Sequence, residues 1–160
     1  MLKTQTFHVK QRKEVETKIS HLSLLGLLPT GSILALNLET RTLSLLSDGP
    51  QLITQQQFSD NEIRLMVPIL ESYPHYCPYE VLLSHISSDT VTAATIARCR
   101  QRLEEAQKCG TWQQELRPIR RALSSLRNKL HPFELEVSNI RERGCSLASL
   151  TSTSLLRSSD

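Results

Sequence analysis

Aromatic side chains are scarce in this chain: of its 160 residues, three are Phe, three Tyr and one Trp. Recognition of unpaired bases depends on stacking against such rings, so the composition disfavours a single-strand binder. Cysteine occurs at Cys77, Cys99, Cys109 and Cys145, with no C-x-x-C pair and no secretory leader ahead of them. They read as reduced thiols in a cytoplasmic protein. His75 and Cys77 stand at no standard zinc spacing from Cys99 or Cys109, so no metal is expected. Around His8, His21, His75, His85 and His131 there is no Gly-rich phosphate loop, G-x-S-x-G elbow or H-E-x-x-H helix, and neither an enzyme nor a bound cofactor is expected. A long apolar run is also missing. The most apolar stretch, Leu22 to Leu38, is interrupted by Gly26, Pro29, Thr30, Gly31, Ser32 and Asn37, whereas a membrane span needs about 20 nearly continuous apolar residues.

The formal charge of +3 is mild, but its distribution is not even. Arg98, Arg100, Arg102, Arg117, Arg120, Arg121, Arg127, Arg141 and Arg143 all fall in the C-terminal half. The strongest pattern lies between Leu116 and Leu130. Pro118 suits the first turn of a helix and Pro132 marks its end. At roughly 100° per residue, Ile119, Leu123, Leu126 and Leu130 gather on one face, and Arg117, Arg120, Arg121, Ser124, Arg127 and Asn128 spread over the other. No carboxylate falls inside the segment, so these cations lack the (i, i+4) partners of an ordinary solvated face. By itself such a face reads equally well as a solubilising surface or as a surface for an external anion.

The segment C-terminal to this helix favours the anion. Leu135, Val137 and Ile140 read as a strand, Glu142-Arg143-Gly144 as a turn with glycine at a positive φ, and Cys145, Leu147 and Ala148 as a returning strand. A basic helix followed by a ribbon with Arg141 and Arg143 at its tip is the arrangement in which the helix enters the major groove and the tip reaches the adjacent backbone or minor groove. Ser125-Leu126-Arg127-Asn128-Lys129-Leu130 and Ile140-Arg141-Glu142-Arg143-Gly144-Cys145-Ser146-Leu147 resemble the winged helix-turn-helix output domain of OmpR/PhoB-type response regulators and their ToxR/CadC-like relatives. In that family the recognition helix ends in a segment like S-R-L-R-R-K-L and the wing carries a pattern like V-R-G-x-G-Y-x-L. Glu142 stands here in place of the first wing glycine, and Cys145 in place of the aromatic residue. The resemblance implies an α+β fold: a winged helix-turn-helix with an N-terminal antiparallel sheet, a helical core and a C-terminal β-hairpin wing. It covers about residues 33 to 150.

Upstream, residues 1 to 13 read as a polar, basic mobile arm or a weak strand, and Val15, Ile19 and Leu22 at helical spacing predict a short helix from Glu14 to Leu28. Ile33 to Leu38 and Thr42 to Leu46 predict strands, with Asp48-Gly49-Pro50 turning the chain into Gln51 to Thr54. Ser59 and Glu62 form a capping-box pattern that starts a helix carrying Ile63, Leu65, Met66, Ile69 and Leu70. Pro68 predicts a kink or a broken hydrogen bond within it, and Tyr73-Pro74 its end. Pro78 starts a shorter helix through Ile86, and Ser88 or Asp89 caps another from about Thr90 to Lys108, with Val91, Ala94, Ile96, Ala97 and Leu103 as its apolar contacts. That last helix has no counterpart in the resembling family. It is either an elaboration of the helix-turn-helix connection or, since Arg98 and Arg102 share a face, itself the reading helix. Glu104 and Glu105 beside them and the absence of a following wing favour the later helix.

These readings divide the chain into an arm and short helix at 1–30, a DNA-binding domain at 31–150 and a disordered Ser/Thr-rich tail at 151–160. The expected function is a sequence-specific regulator of transcription on double-stranded DNA, in the cytoplasm at a bacterial nucleoid. The length leaves no space for the phosphoacceptor domain of about 120 residues that the resemblance would place ahead of the output module. Arg117, Arg120, Arg121, Ser124, Arg127 and Asn128 would face the major groove, and Arg141 and Arg143 the wing contact. A homodimer with its seam at Leu22 to Leu28 would improve specificity on repeated half-sites. The competing class is an interaction module that uses the same fold to bind RNA polymerase or another regulator; Glu104, Glu105, Glu115, Glu134, Glu136 and Glu142, which dilute the basic surface, speak for it.

Overall fold

The structure, a computed structural model, describes residues 5–6, 19–22, 24, 26–48 and 51–150. The expected arm at 1–13, apart from residues 5–6, the Gly49-Pro50 part of the turn and the tail at 151–160 lie outside them. The fold is α+β. Five antiparallel strands, β1 (Gln5–Thr6), β2 (Ile19–Leu22), β3 (Ile33–Asn37), β4 (Thr42–Ser47) and β5 (Gln51–Gln57), lie side by side in chain order. Alternation explains the sheet's inner face: Leu34 and Leu36 of β3 sit opposite Leu45 and Leu43 of β4, and all four are buried.

Over residues 19–22, β2 corrects the expected helix at 14–28; residues 14–18, 23 and 25 of that segment lie outside the described residues. Ile19–Leu22 pairs with residues 34 to 37 of β3, and Gly26 at φ 85° then turns the chain away from any helical path. The helical spacing of Ile19 and Leu22 was outcompeted by strand pairing, a long-range contact that a local period does not encode. Of the run expected to form the dimer seam, Leu22 and Leu24 are buried in the core and Leu27 and Leu28 pack against it, so these four leucines are engaged within the chain.

Helix α1 (Asp60–Ser72) starts at the capping box: the Ser59 hydroxyl accepts from the Glu62 N–H, and the Glu62 carboxylate accepts from the Ser59 N–H. The helix continues past Pro68, where the missing N–H leaves the Arg64 carbonyl without its usual partner. Its apolar residues Leu65, Met66, Ile69 and Leu70 are buried in the same core cluster as the inner face of the sheet. After a short bridge strand β6 (Cys77–Pro78) comes α2 (Tyr79–Ser87), then α3 (Ala93–Cys109), a single turn α4 (Trp112–Glu115) and α5 (Arg117–Leu130). α3 starts later than expected because Thr92 and Thr95 form the capping box that Ser88 and Asp89 do not. Only Cys99, Leu103 and Ala106 of α3 are buried, whereas Ala94 and Ala97 are exposed.

A 3-10 turn at His131–Phe133 leads into β7 (Leu135–Ile140) and β8 (Gly144–Ser149), an antiparallel hairpin to which β6 adds a third strand in the order β6-β8-β7. The hairpin turn differs from expectation in one respect. The positive φ falls on Glu142, at 59°, and not on Gly144. Glycine at 144 answers a different need: a Cβ there would overlap the carbonyl oxygen of Cys77 on β6, so the close approach of two backbones requires its absence.

Candidate nucleic-acid interface

α5 follows its pattern closely. Ile119, Leu123, Leu126 and Leu130 are all buried, while Arg117, Arg120, Arg121, Ser124 and Asn128 are exposed. Four Leu and Ile side chains removed from water hold the helix down, at about 1.5 to 3 kcal/mol each. Among the described residues, Arg117, Arg120 and Arg121 form no ion pair and no side-chain hydrogen bond, and neither do Arg141 and Arg143 at the exposed hairpin tip. On one helix face and on the adjoining turn these guanidinium groups are exposed to solvent, with no counter-charge among the described residues.

Arg127 is different from the other candidates. Its Nε donates to the Val137 carbonyl at 2.9 Å and its Nη2 to Asn139 Oδ1 at 2.8 Å, so the guanidinium fork is spent on tying α5 to β7. Sequence reasoning placed Arg127 on the reading face because the wheel shows the polar side but not what packs beside it. Its role here is to fix the hairpin relative to the helix. A second fastening comes from the Tyr79 N–H, which donates to the Arg143 carbonyl at 3.0 Å and joins the start of α2 to the hairpin turn. Tyr79 packs edge-on against Trp112 at 6.1 Å, and burial pushes its phenol above the ordinary range.

The missing carboxylate of α5 is supplied by α1. Glu62 is buried, and its Oε2 accepts from Lys129 Nζ at 2.8 Å while its Oε1 accepts from Ser125 Oγ at 2.6 Å. Burial alone would raise the acid's pKa; the bonds from Lys129, Ser125 and the Ser59 N–H outweigh it and hold the carboxyl below its ordinary value. The S-x-x-E spacing made Glu62 visible as a cap, but its second task, gripping a helix more than sixty residues later, carries no local signal. Glu62 takes up Lys129 and leaves the three arginines of the exposed face untouched.

α3, the other candidate reader, has two of its cations matched. Arg102 pairs with Glu115 at 2.8 Å and Arg100 with Glu80 at 3.4 Å, leaving Arg98 exposed without an ion pair. Arg64 likewise is occupied, bridging Asp60 and Asp89 at 2.8 Å each.

Other chemistry is sparse among the described residues. No three His, Cys, Asp or Glu side chains are grouped to hold a metal. Cys77 and Cys145 are cross-strand neighbours, and burial pushes their thiols up to about 11 and about 12. No helix is long and apolar enough to cross a membrane among the described residues. Comparison with protein-family models, with curated proteins and with solved structures finds no match in any of the three, so a functional reading has to rest on the side chains themselves.

Proposed function

We propose that this chain is a sequence-specific regulator that binds double-stranded DNA through a winged helix-turn-helix. α5 is the reading helix in the major groove, and the hairpin β7-β8 is the wing. The observation that carries the reading is the set of guanidinium groups without protein partners, Arg117, Arg120 and Arg121 on α5 and Arg141 and Arg143 on the hairpin tip, held on elements that Arg127 fastens together. Ser124 and Asn128 stand exposed on the same helix face, with donors and acceptors for base edges or phosphates. Expected partners are duplex DNA and the transcription machinery.

Replacing Arg120 and Arg121 by Ala is expected to abolish specific binding in a gel-shift titration, since base-directed Arg contacts contribute about 1 to 3 kcal/mol each. Replacing Arg98 and Arg102 is expected to weaken it only slightly, because Arg102 already has Glu115. Affinity should fall steeply between low and moderate salt. The reverse ranking of the two double variants would move the reading helix to α3, and a flat salt dependence would sink duplex binding. A second reading, a docking module for RNA polymerase or another regulator, draws on Glu142, which is exposed between the two tip arginines and would meet phosphates unfavourably. On that reading neither double variant changes duplex affinity.

A further inference from the structure

Beside the reading face, the start of α1 and the first half of α5 enclose a cleft of about 410 Å³. Arg117 and Arg121 form one wall, and Ser59, Asn61 and Ser125 contribute hydroxyl and amide groups. We propose that this cleft is a binding site for a phosphoryl oxyanion, gripped by Arg117 and Arg121 and finished by the Ser59 hydroxyl and the Asn61 amide. Bound at backbone phosphate, the group would extend the DNA contact and rest on the function proposed above; bound as a free polyphosphate or phosphate ester, it would compete with DNA for the same two arginines.

The charge balance of the cleft supports an anion. Its one lining carboxylate, Glu62, is already satisfied by Lys129, Ser125 and the Ser59 N–H. Asp60, the other acid in the first turn of α1, is turned to Arg64 at 2.8 Å. What remains toward the space is the pair Arg117 and Arg121, neither of which has an ion pair among the described residues. One helical turn apart, the two lie on the same face, so both forks can address one ligand. A single carboxylate satisfies one guanidinium fork; a phosphoryl group offers enough oxygens for two. The volume lies within the range of about 300 to 1,000 Å³ typical of small-molecule sites, more than an isolated phosphate fills.

The test uses the full chain and inorganic pyrophosphate as the probe, by calorimetric titration in low salt without DNA, with citrate as a carboxylate control. The variants are R117A/R121A, R117A alone and, as a comparison outside the cleft, R120A. Urea midpoints of all these proteins check folding, and they should agree because these side chains are exposed and make no ion pair. Saturable pyrophosphate binding that is retained in R120A and weakened at least tenfold in R117A/R121A establishes a free-anion site. If pyrophosphate does not bind but R117A alone, with Arg121 left in place, lowers the salt slope of duplex binding by about 1 with sequence preference intact, the occupant is a backbone phosphate. Equal affinity for citrate overturns the phosphoryl assignment. Absence of pyrophosphate binding together with an unchanged salt slope overturns the site, even if R120A still impairs sequence-specific binding and so leaves the DNA reading standing.

Discussion

Replacing Lys129 by Met would leave the Glu62 carboxylate buried without its cation, and this contact offers the sharpest test of how the helices are held. The two ends differ in environment: the Glu62 side chain is 5% exposed and that of Lys129 29%. An exposed pair contributes about 0 to 1 kcal/mol, while breaking a fully buried one costs about 3 to 5. With one end dry and the other reaching water, K129M should cost about 2 kcal/mol, part of it from losing the ammonium 5.6 Å above the Phe58 ring. E62Q keeps the shape and the possibility of accepting from Ser125, and should cost about 1 to 2 kcal/mol. Urea titrations of wild type, both single variants and the double variant give the coupling, expected at about 1 to 2 kcal/mol. The sign with pH follows from the depressed carboxyl. Because the folded pKa of Glu62 lies below its ordinary 4.5, its contribution is present above that value and lost as pH falls through the folded pKa. K129M removes a bond that lowers it, so the variant's acid transition should move to higher pH. A coupling below about 0.3 kcal/mol, or an unmoved acid transition, would refute the claim that Glu62 clamps α5.

Gly144→Ala should destabilise the chain by about 1 to 3 kcal/mol, or lift the hairpin from β6, because the added carbon meets the Cys77 backbone and not a side chain that can rotate away; hydrogen exchange at β8 and a urea midpoint would show it. R127A should lower stability by about 1 to 3 kcal/mol through the two lost bonds to β7, whereas R121A, exposed and without an ion pair, should stay within about 0.5; equal effects in thermal melts would return Arg127 to the reading face. In the native protein at pH 8, Cys109 should react promptly with a thiol reagent while Cys77 and Cys145 wait for unfolding, since the first is exposed and the others are buried with raised pKa; prompt reaction of more than one thiol would contradict the packing.

The features legible in the sequence are those whose causes are local. The capping box at Ser59 and Glu62, the alternating leucines of β3 and β4, and the apolar stripe of α5 each depend on neighbours within a turn or a pair of strands, and the elements form where those patterns fall. The features that escaped depend on contacts far along the chain. β2 is a strand because β3 is there to pair with it, Arg127 is withdrawn from the exposed face because β7 offers it a carbonyl and an amide, and Gly144 is required by a backbone almost seventy residues earlier. The polar side of the α5 wheel was therefore readable as polar, but its division into anchors (Ser125, Arg127, Lys129) and unpaired cations (Arg117, Arg120, Arg121) was not.

The fastening of the hairpin has a mechanical consequence. Its β8 strand is pressed against β6 at Gly144, its turn receives the first N–H of α2 through Arg143, and its β7 strand is gripped from α5 by Arg127. Tied on one side to β6 and the adjoining first residue of α2 and on the other to α5, the base of the hairpin is braced, and the span from Arg120 on the helix to Arg141 on the tip would then be set like the jaws of a gauge. On the proposed duplex such a gauge would not adapt to the groove; the DNA would have to come to its width. Sequences that bend or narrow easily would then be preferred even at base pairs no side chain touches, and stiff ones would be passed over.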